Sequence, residues 1–157
     1  MKIHNTNSRK NFTSAVRLML VFVFIYAAFN KLYDLEAFED QLSLSPMIPE
    51  GFYRAVAIVI PLAEVAISLV LCVPRKYKAA LYSSYFLLLL FTFYIIFLMR
   101  YSTYVPCSCG GILGNLSWKQ HVLFNVILLM LSITSCYIAE QESGNLSLQT
   151  NRQSNNL

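Results

Sequence analysis

Charged residues are scarce in this chain. Asp, Glu, Lys and Arg together make up 13% of its 157 residues, whereas 57% of the residues are hydrophobic. A soluble domain of this size carries roughly 25% charged residues and somewhat fewer apolar ones. The shortage of charge therefore excludes an ordinary water-soluble domain, because too few polar residues are present to form a surface that faces water.

The chain also lacks a basic stripe, although its net charge is +4. Most of the Lys and Arg residues flank the apolar runs, where positive charge sets the orientation of a membrane protein. This placement argues against nucleic acid as a partner and makes the lipid bilayer the expected environment.

Four apolar runs dominate the sequence. A membrane core about 30 Å thick needs about 20 mostly apolar residues to be crossed as a helix, and each run meets or approaches that length. The sequence thus predicts an all-α, polytopic membrane protein, a four-transmembrane-helix bundle over residues 16–138. The spans are predicted at 16–32, 52–73, 79–99 and 121–138.

The segments outside these spans are polar. Residues 1–15 form a basic leader, and residues 33–51 are predicted to form a loop between the first two spans. The tail at 139–157 is rich in Ser, Asn and Gln with few apolar residues, a composition that predicts disorder.

The distribution of Lys and Arg predicts that both termini are cytoplasmic. Eight of these residues belong to the leader, the start of the first span, the connection between the second and third spans, and the tail, against four on the opposite side. Positive residues concentrate on the cytoplasmic side of membrane proteins. The connection between the third and fourth spans is then external.

The four cysteines divide between the two predicted ends of the bundle. Cys107 and Cys109 lie in the external connection, whereas Cys72 and Cys136 lie at the inner ends of their spans. A disulfide needs Cα atoms within about 7 Å, and about 30 Å of membrane separates the two sets. Cys107 and Cys109 therefore act with each other or with an external partner. Cys72 and Cys136 are interpreted as small buried hydrophobic residues.

Three interpretations of the Cys107-Ser-Cys109 pair stay open. A disulfide between cysteines two residues apart closes a small, strained ring, and strained, exposed disulfides tend to be exchange-active, which favours a thiol–disulfide exchange site. The two thiolates and the imidazole of His121 also form a soft ligand set suited to copper or zinc, although a structural zinc site normally has four ligands. In the third interpretation the pair only holds the loop in shape.

Glu64 lies near the middle of the second predicted span. A carboxylate in lipid is costly, and it is by default a functional hypothesis. We expect it to form an intramembrane polar cluster with Lys31, Asn30 and Asn125, beneath the cysteine loop, that binds a quinone head group or relays protons. Hydrogen bonding between helices is the structural alternative.

Three sequence segments carry a family resemblance, namely Phe29-Asn30-Lys31-Leu32, Pro61-Leu62-Ala63-Glu64 and Val105-Pro106-Cys107-Ser108-Cys109-Gly110-Gly111. Together they resemble the MauE/DoxX group of four-helix membrane proteins, in particular its MauE branch. Lys31 and Glu64 match the helix-end lysine and the intramembrane acid of that group. Ser108 and Gly111 depart from the Gly and Phe that members often have, which leaves the substrate open.

The resemblance implies a redox-associated protein of the bacterial inner (cytoplasmic) membrane. Its Cys107/Cys109 loop is then periplasmic and exchanges disulfides with a thiol- or disulfide-containing partner protein, as a thiol–disulfide oxidoreductase. A link to quinone, or to maturation of a disulfide-rich protein in methylamine utilisation, follows from the same resemblance. The alternatives are a non-enzymatic membrane subunit or assembly factor of a larger complex, and a metal-handling protein.

Overall fold

The computed structural model describes residues 3–101 and 118–154, and over these residues the chain is helical with short connections. The helices are α1 (Ile3–Tyr33), α2 (Leu35–Ser43), α3 (Tyr53–Cys72), α4 (Tyr77–Tyr101) and α5 (Trp118–Ser154). Within these described ranges, four segments are long and apolar enough to cross a membrane: Ser8–Tyr33, Tyr53–Cys72, Tyr77–Tyr101 and Lys119–Gln141. The prediction of an all-α, polytopic fold is confirmed.

Large apolar side chains cover the outside of the bundle. Leu18 and Phe22 of α1 are 70% and 72% exposed, and Phe86 of α4 is 60% exposed. A helix that is apolar on its outer face as well as its inner one is typical of a membrane span. Lipid, rather than water, is the medium that covers these side chains.

The four long helices close into a ring in which each has two neighbours. Helix α1 packs mainly on α3 and also on α5, and α4 packs mainly on α5 and also on α3, while the short α2 lies against α3. The core between them is apolar, and its most deeply buried members include Leu20, Phe24, Leu71, Leu81 and Leu128. Buried Ser68 and Ser84 donate to carbonyls one turn earlier in their own helices, so these hydroxyls are satisfied without a partner helix.

Arg17 fixes one end of the bundle. Its guanidinium donates through Nε, at 3.1 Å, and through Nη2 to the carbonyl of Leu71 in the last turn of α3. The same group lies over the ring of Tyr77, 4.6 Å from the ring centroid, at the start of α4. Free carbonyls at a helix C-terminus carry partial negative charge, so the arginine stabilises the α3–α4 connection. We call this end of the molecule the Arg17 end.

The first and last helices also meet at the Arg17 end. Arg9 of α1 donates from Nη1 to Oε1 of Gln141 on α5 at 2.8 Å. The amino-terminal part of α1, the α3–α4 connection and the carboxy-terminal part of α5 therefore lie together. The side of the membrane that this end faces stays a prediction from the charge distribution.

The outer helices are longer than the sequence-based boundaries. Helix α1 begins at Ile3 rather than at residue 16, and α5 continues to Ser154 through most of the tail predicted to be disordered. Neither helix contains proline, and extending a helix that has already formed adds one hydrogen bond for each residue fixed. Composition alone missed this continuation from an apolar span into a polar segment.

Candidate functional site

An ion pair joins α1 to α3 at the end of the bundle opposite Arg17. Nζ of Lys31, in the last turn of α1, lies 2.6 Å from Oε1 of Glu64. The Glu64 side chain is fully buried, and that of Lys31 is 20% exposed. An isolated charge inside a membrane protein is costly. The ammonium group of Lys31 therefore neutralises the charge of a carboxylate that is otherwise surrounded by helices.

Helix periodicity explains why Glu64 points inward. The buried positions of α3 recur at alternating spacings of four and three residues, and they are Ala57, Pro61, Glu64, Ser68 and Leu71. Residues with this spacing lie on one face of a helix. Glu64 thus occupies the middle of the face that α3 buries in the bundle.

Aromatic rings from two further helices surround the ammonium group of Lys31. Nζ lies 5.3 Å from the ring centroid of Phe91 on α4 and 5.9 Å from that of Phe38 on α2. Both distances are within the range of about 6 Å for cation–π attraction. Lys31 is consequently held where α1, α2, α3 and α4 meet.

A cavity of about 490 Å³ adjoins the ion pair. It lies between the four long helices and α2, and its walls are mainly aliphatic and aromatic. Sites for small molecules typically occupy about 300–1,000 Å³ and combine apolar walls with a few polar groups. Here the polar groups include Lys31, Glu64, Asn30, His121 and Asn125. We refer to this space as the Lys31–Glu64 cavity.

The predicted polar cluster is assembled around this cavity. Lys31 and Glu64 are in direct contact. Asn30 donates its side-chain amide to the carbonyl of Tyr26 at 2.9 Å, and Asn125 is a buried residue of α5. Both asparagines line the cavity with the ion pair. The four residues therefore share one location, and their role as a binding site stays a prediction.

One oxygen of Glu64 lacks a hydrogen-bond partner among the residues that the structure describes. Oε1 accepts from Lys31, whereas Oε2 is buried and unpaired. A buried acceptor without a donor costs about 1–3 kcal/mol, and more when the group is charged. This oxygen is enclosed by the surrounding helices, since no part of the Glu64 side chain is exposed.

Helix α2 and the two rings beside Lys31 were not predicted from the sequence. Asp34 caps α2 by accepting from the backbone N–H of Ala37 at 3.2 Å. An aspartate followed by apolar residues at Leu35, Phe38 and Leu42 was a usable signal, because these positions fall on one side of a helix. The position of Phe91 near Lys31 is a tertiary contact that local sequence does not encode.

The predicted cysteine site lies outside the described residues. Cys107 and Cys109 belong to the connection between Tyr101, which ends α4, and Trp118, which begins α5. Of the other two cysteines, Cys72 is exposed and Cys136 is buried, both as free thiols. The interpretation of Cys136 as a small buried residue fits its position, whereas Cys72 is not buried.

The predicted metal-binding set likewise lies partly outside the described residues. Across residues 3–101 and 118–154, no three His, Cys, Asp or Glu side chains form a group that could hold a metal ion. The set of Cys107, Cys109 and His121 includes two residues outside these ranges. His121 itself lines the Lys31–Glu64 cavity.

Comparison with known proteins places this bundle in a family. Residues 9–138 match the family model described as methylamine utilisation protein MauE. The chain is 31% identical over 122 residues to the methylamine utilization protein MauE of Paracoccus denitrificans, covering 76% of this chain and 65% of that protein. It is 29% identical over 141 residues to the MauE of Paracoccus versutus, covering 87% of this chain and 75% of the relative.

No solved structure matches the chain. The family match extends from the first helix into the fourth span and includes both Lys31 and Glu64, as well as Cys107 and Cys109. It therefore covers the ion pair, the cavity and the cysteine segment together. This multi-pass membrane protein belongs to the MauE family.

Proposed function

We propose that this protein carries out thiol–disulfide exchange for methylamine utilisation at the bacterial inner membrane. Cys107 and Cys109 react with a periplasmic, disulfide-rich partner protein whose maturation depends on the exchange. The observation that supports this most directly is a Cys-Ser-Cys-Gly-Gly sequence between two membrane helices of a MauE family member. Its two thiols are close enough in sequence to form a strained, exchange-active disulfide.

The ends of the flanking helices support a periplasmic location for the pair. Tyr101 and Trp118 terminate the helices at the end of the bundle opposite Arg17. The Arg17 end carries most of the Lys and Arg residues, which favours the cytoplasm for that end. Thiol–disulfide chemistry at the other end is then in a compartment where disulfides form and persist.

The exchange proceeds through a mixed disulfide. A partner thiolate attacks one sulfur of the Cys107–Cys109 disulfide, the S–S bond breaks, and the departing cysteine thiolate takes up a proton. A second partner thiolate then attacks the mixed disulfide. The products are an oxidised partner and a Cys107/Cys109 dithiol, so two electrons pass from the partner to the pair. The same steps in reverse reduce the partner.

Alkylation of intact cells with a membrane-impermeant maleimide tests this function. We expect Cys107 and Cys109 to become labelled after mild reduction and to be protected after oxidation, with mass spectrometry as the readout. Cys72 is the matched control, because it is exposed at the Arg17 end and should be labelled only after the cells are opened.

A different labelling pattern would contradict the proposal. If the labelling of Cys107 and Cys109 did not change between reducing and oxidising conditions, while the protein was still present in the membrane, thiol–disulfide exchange would be rejected. If the protein also stayed bound to a larger membrane complex after Cys107→Ala and Cys109→Ala substitution, its role would be that of a membrane subunit or assembly factor.

A further inference from the structure

We propose that the Lys31–Glu64 cavity binds a zwitterionic phospholipid of the surrounding membrane, with one acyl chain between the helices. The head group of this lipid lies at the mouth of the cavity, at the end of the bundle opposite Arg17. There its ammonium group lies near the acidic side chains of α2, and its phosphate lies near basic side chains of α4 and α5. The site goes beyond the proposed function, because it does not involve Cys107 or Cys109.

The cavity has the depth of one leaflet of the bilayer. Along α4 it extends from Leu87, near the middle of that helix, to Leu98 in the last turn. At 1.5 Å per residue this depth is about 16 Å, and half of a hydrocarbon core of about 30 Å is about 15 Å. Along α3, which runs in the opposite direction, the cavity extends from Glu64 near the middle to Val56 in the first turn. It therefore occupies the leaflet opposite the Arg17 end and matches the length of an acyl chain.

Apolar side chains fill the other half of the bundle, towards the Arg17 end. Leu20, Leu71 and Leu81 are fully buried there and belong to the apolar core. Protein interiors are close-packed, with few voids larger than a water molecule. A cavity of about 490 Å³ in the half opposite Arg17 is within the range of known ligand sites. This space is therefore suited to a ligand rather than being a small packing defect.

The cavity opens towards lipid at the side of α4. Leu90 and Phe93 line it and are 45% and 59% exposed, so the same helix segment faces both the cavity and the outside of the bundle. The walls are mainly aliphatic and aromatic. Within a membrane, association is driven by close packing rather than by the hydrophobic effect. An acyl chain can enter sideways from the bilayer and gain packing contacts on all sides.

The ion pair is a wall of the cavity and does not attract the head group. Lys31 donates to Glu64 at 2.6 Å, so the two charges neutralise each other. The rings of Phe38 and Phe91 lie within 5.9 Å and 5.3 Å of the ammonium nitrogen and cover it further. An acyl chain that passes the pair therefore meets aromatic surface and no uncompensated charge.

Charges of both signs surround the mouth of the cavity. On one side, Asp34 lines the cavity, and Glu36 and Asp40 are exposed on α2. On the other side, Arg100 and Lys119 are exposed, each two residues from a side chain that lines the cavity. A head group that carries an ammonium and a phosphate can pair with both sides. A purely anionic head group has no cation for the α2 side, where like charges repel.

Native mass spectrometry of the purified protein tests the proposal. The whole chain is delipidated in detergent micelles and supplied with equal amounts of dioleoyl phosphatidylethanolamine, dioleoyl phosphatidylglycerol and dioleoylglycerol. We expect phosphatidylethanolamine to be retained about fivefold more than either of the others, because exposed ion pairs contribute modestly. Phosphatidylethanolamine should also raise Tm, since a ligand that binds only the folded state stabilises it.

Two substitutions locate the site. Ala27→Phe fills part of the cavity that Ala27 lines and should abolish retention of all three lipids. Asp34→Asn keeps a good helix cap but removes the charge, so it should lower retention of phosphatidylethanolamine about threefold. The matched controls are Ala79→Phe and Glu140→Gln, at exposed positions towards the Arg17 end, which should retain lipid normally.

Equal or stronger retention of phosphatidylglycerol or dioleoylglycerol would overturn the proposal, because the head group would then not be recognised. Unchanged retention in Ala27→Phe would overturn it too, since the lipid would lie elsewhere on the bundle. If Ala27→Phe does not fold, as judged by circular dichroism, the comparison of the three lipids and Asp34→Asn still decide the question. The proposed disulfide exchange is not affected by any of these results.

Discussion

Lys31 and Glu64 form an unequal pair. The carboxylate is fully buried in the bundle, whereas the ammonium group keeps 20% exposure and contacts two aromatic rings. Removing the lysine leaves a buried charge without a partner, while removing both leaves an apolar contact between α1 and α3. Buried pairs replaced by apolar residues of similar size are often neutral in stability, but breaking one partner is strongly destabilising.

This asymmetry predicts a non-additive pair of substitutions. Lys31→Met should lower the free energy of unfolding by about 3 kcal/mol, and Lys31→Met/Glu64→Met should recover most of that loss. Denaturant unfolding in micelles, followed by circular dichroism, measures both. Glu140→Gln, an exposed substitution, should change stability by less than about 0.5 kcal/mol. Additive losses in the double variant would show that the pair is not coupled.

Helix α2 covers the cavity and is only nine residues long, so its stability depends strongly on how its ends are capped. Short helices are marginal without capping and packing, and α2 has both. Asp34 supplies the cap, and Leu42 packs in the interior. The helix brings Phe38 to Lys31, which connects its stability to the shape of the site.

Loss of the cap should therefore loosen α2 specifically. Asp34→Ala should destabilise the helix by about 1 kcal/mol and increase amide hydrogen exchange in residues 35–43 without changing exchange in α4. Asp40→Ala is the control, since Asp40 is an exposed residue of the same helix. Equal amide hydrogen exchange in the two variants would mean that the Asp34 side chain does not stabilise α2.

The elements differ in how far sequence predicts them. The spans predicted at 52–73 and 79–99 match α3 and α4 to within two residues at each end, because an apolar run ends where lipid ends. Helix α2 and the outer parts of α1 and α5 were missed, because their apolar content is low and their helicity follows from capping or from continuation of a span. Glu64 was identifiable as an isolated acid in lipid. The cavity beside it was not, since it is formed by five helices.

At the scale of the whole molecule, the two ends of the bundle differ in chemistry. The Arg17 end is held by Arg9 and Arg17 through hydrogen bonds between helices. The opposite end contains a cavity and an ion pair, and the chain that joins α4 to α5 there carries the cysteines. The proposed exchange requires the cysteine segment to lie on the side of the membrane where disulfides persist.

Cysteine reporters test this orientation. In a cysteine-free background, Glu50→Cys should be labelled by an impermeant reagent in intact cells, and Arg75→Cys only in opened cells. Both positions are exposed, at opposite ends of the bundle. The reverse pattern would place the Arg17 end outside and would remove the periplasmic location on which the proposed exchange depends.

The central claim is that Cys107 and Cys109 exchange disulfides with a partner, and trapping the mixed disulfide tests it most directly. Cells that carry Cys107→Ala or Cys109→Ala are quenched with acid, alkylated, and separated without reductant. We predict that one of the two variants gives a species of higher mass that dithiothreitol cleaves and that contains a disulfide-rich periplasmic protein. The double variant Cys107→Ala/Cys109→Ala should give none. Absence of this species in both single variants, or its persistence in the double variant, would contradict the account.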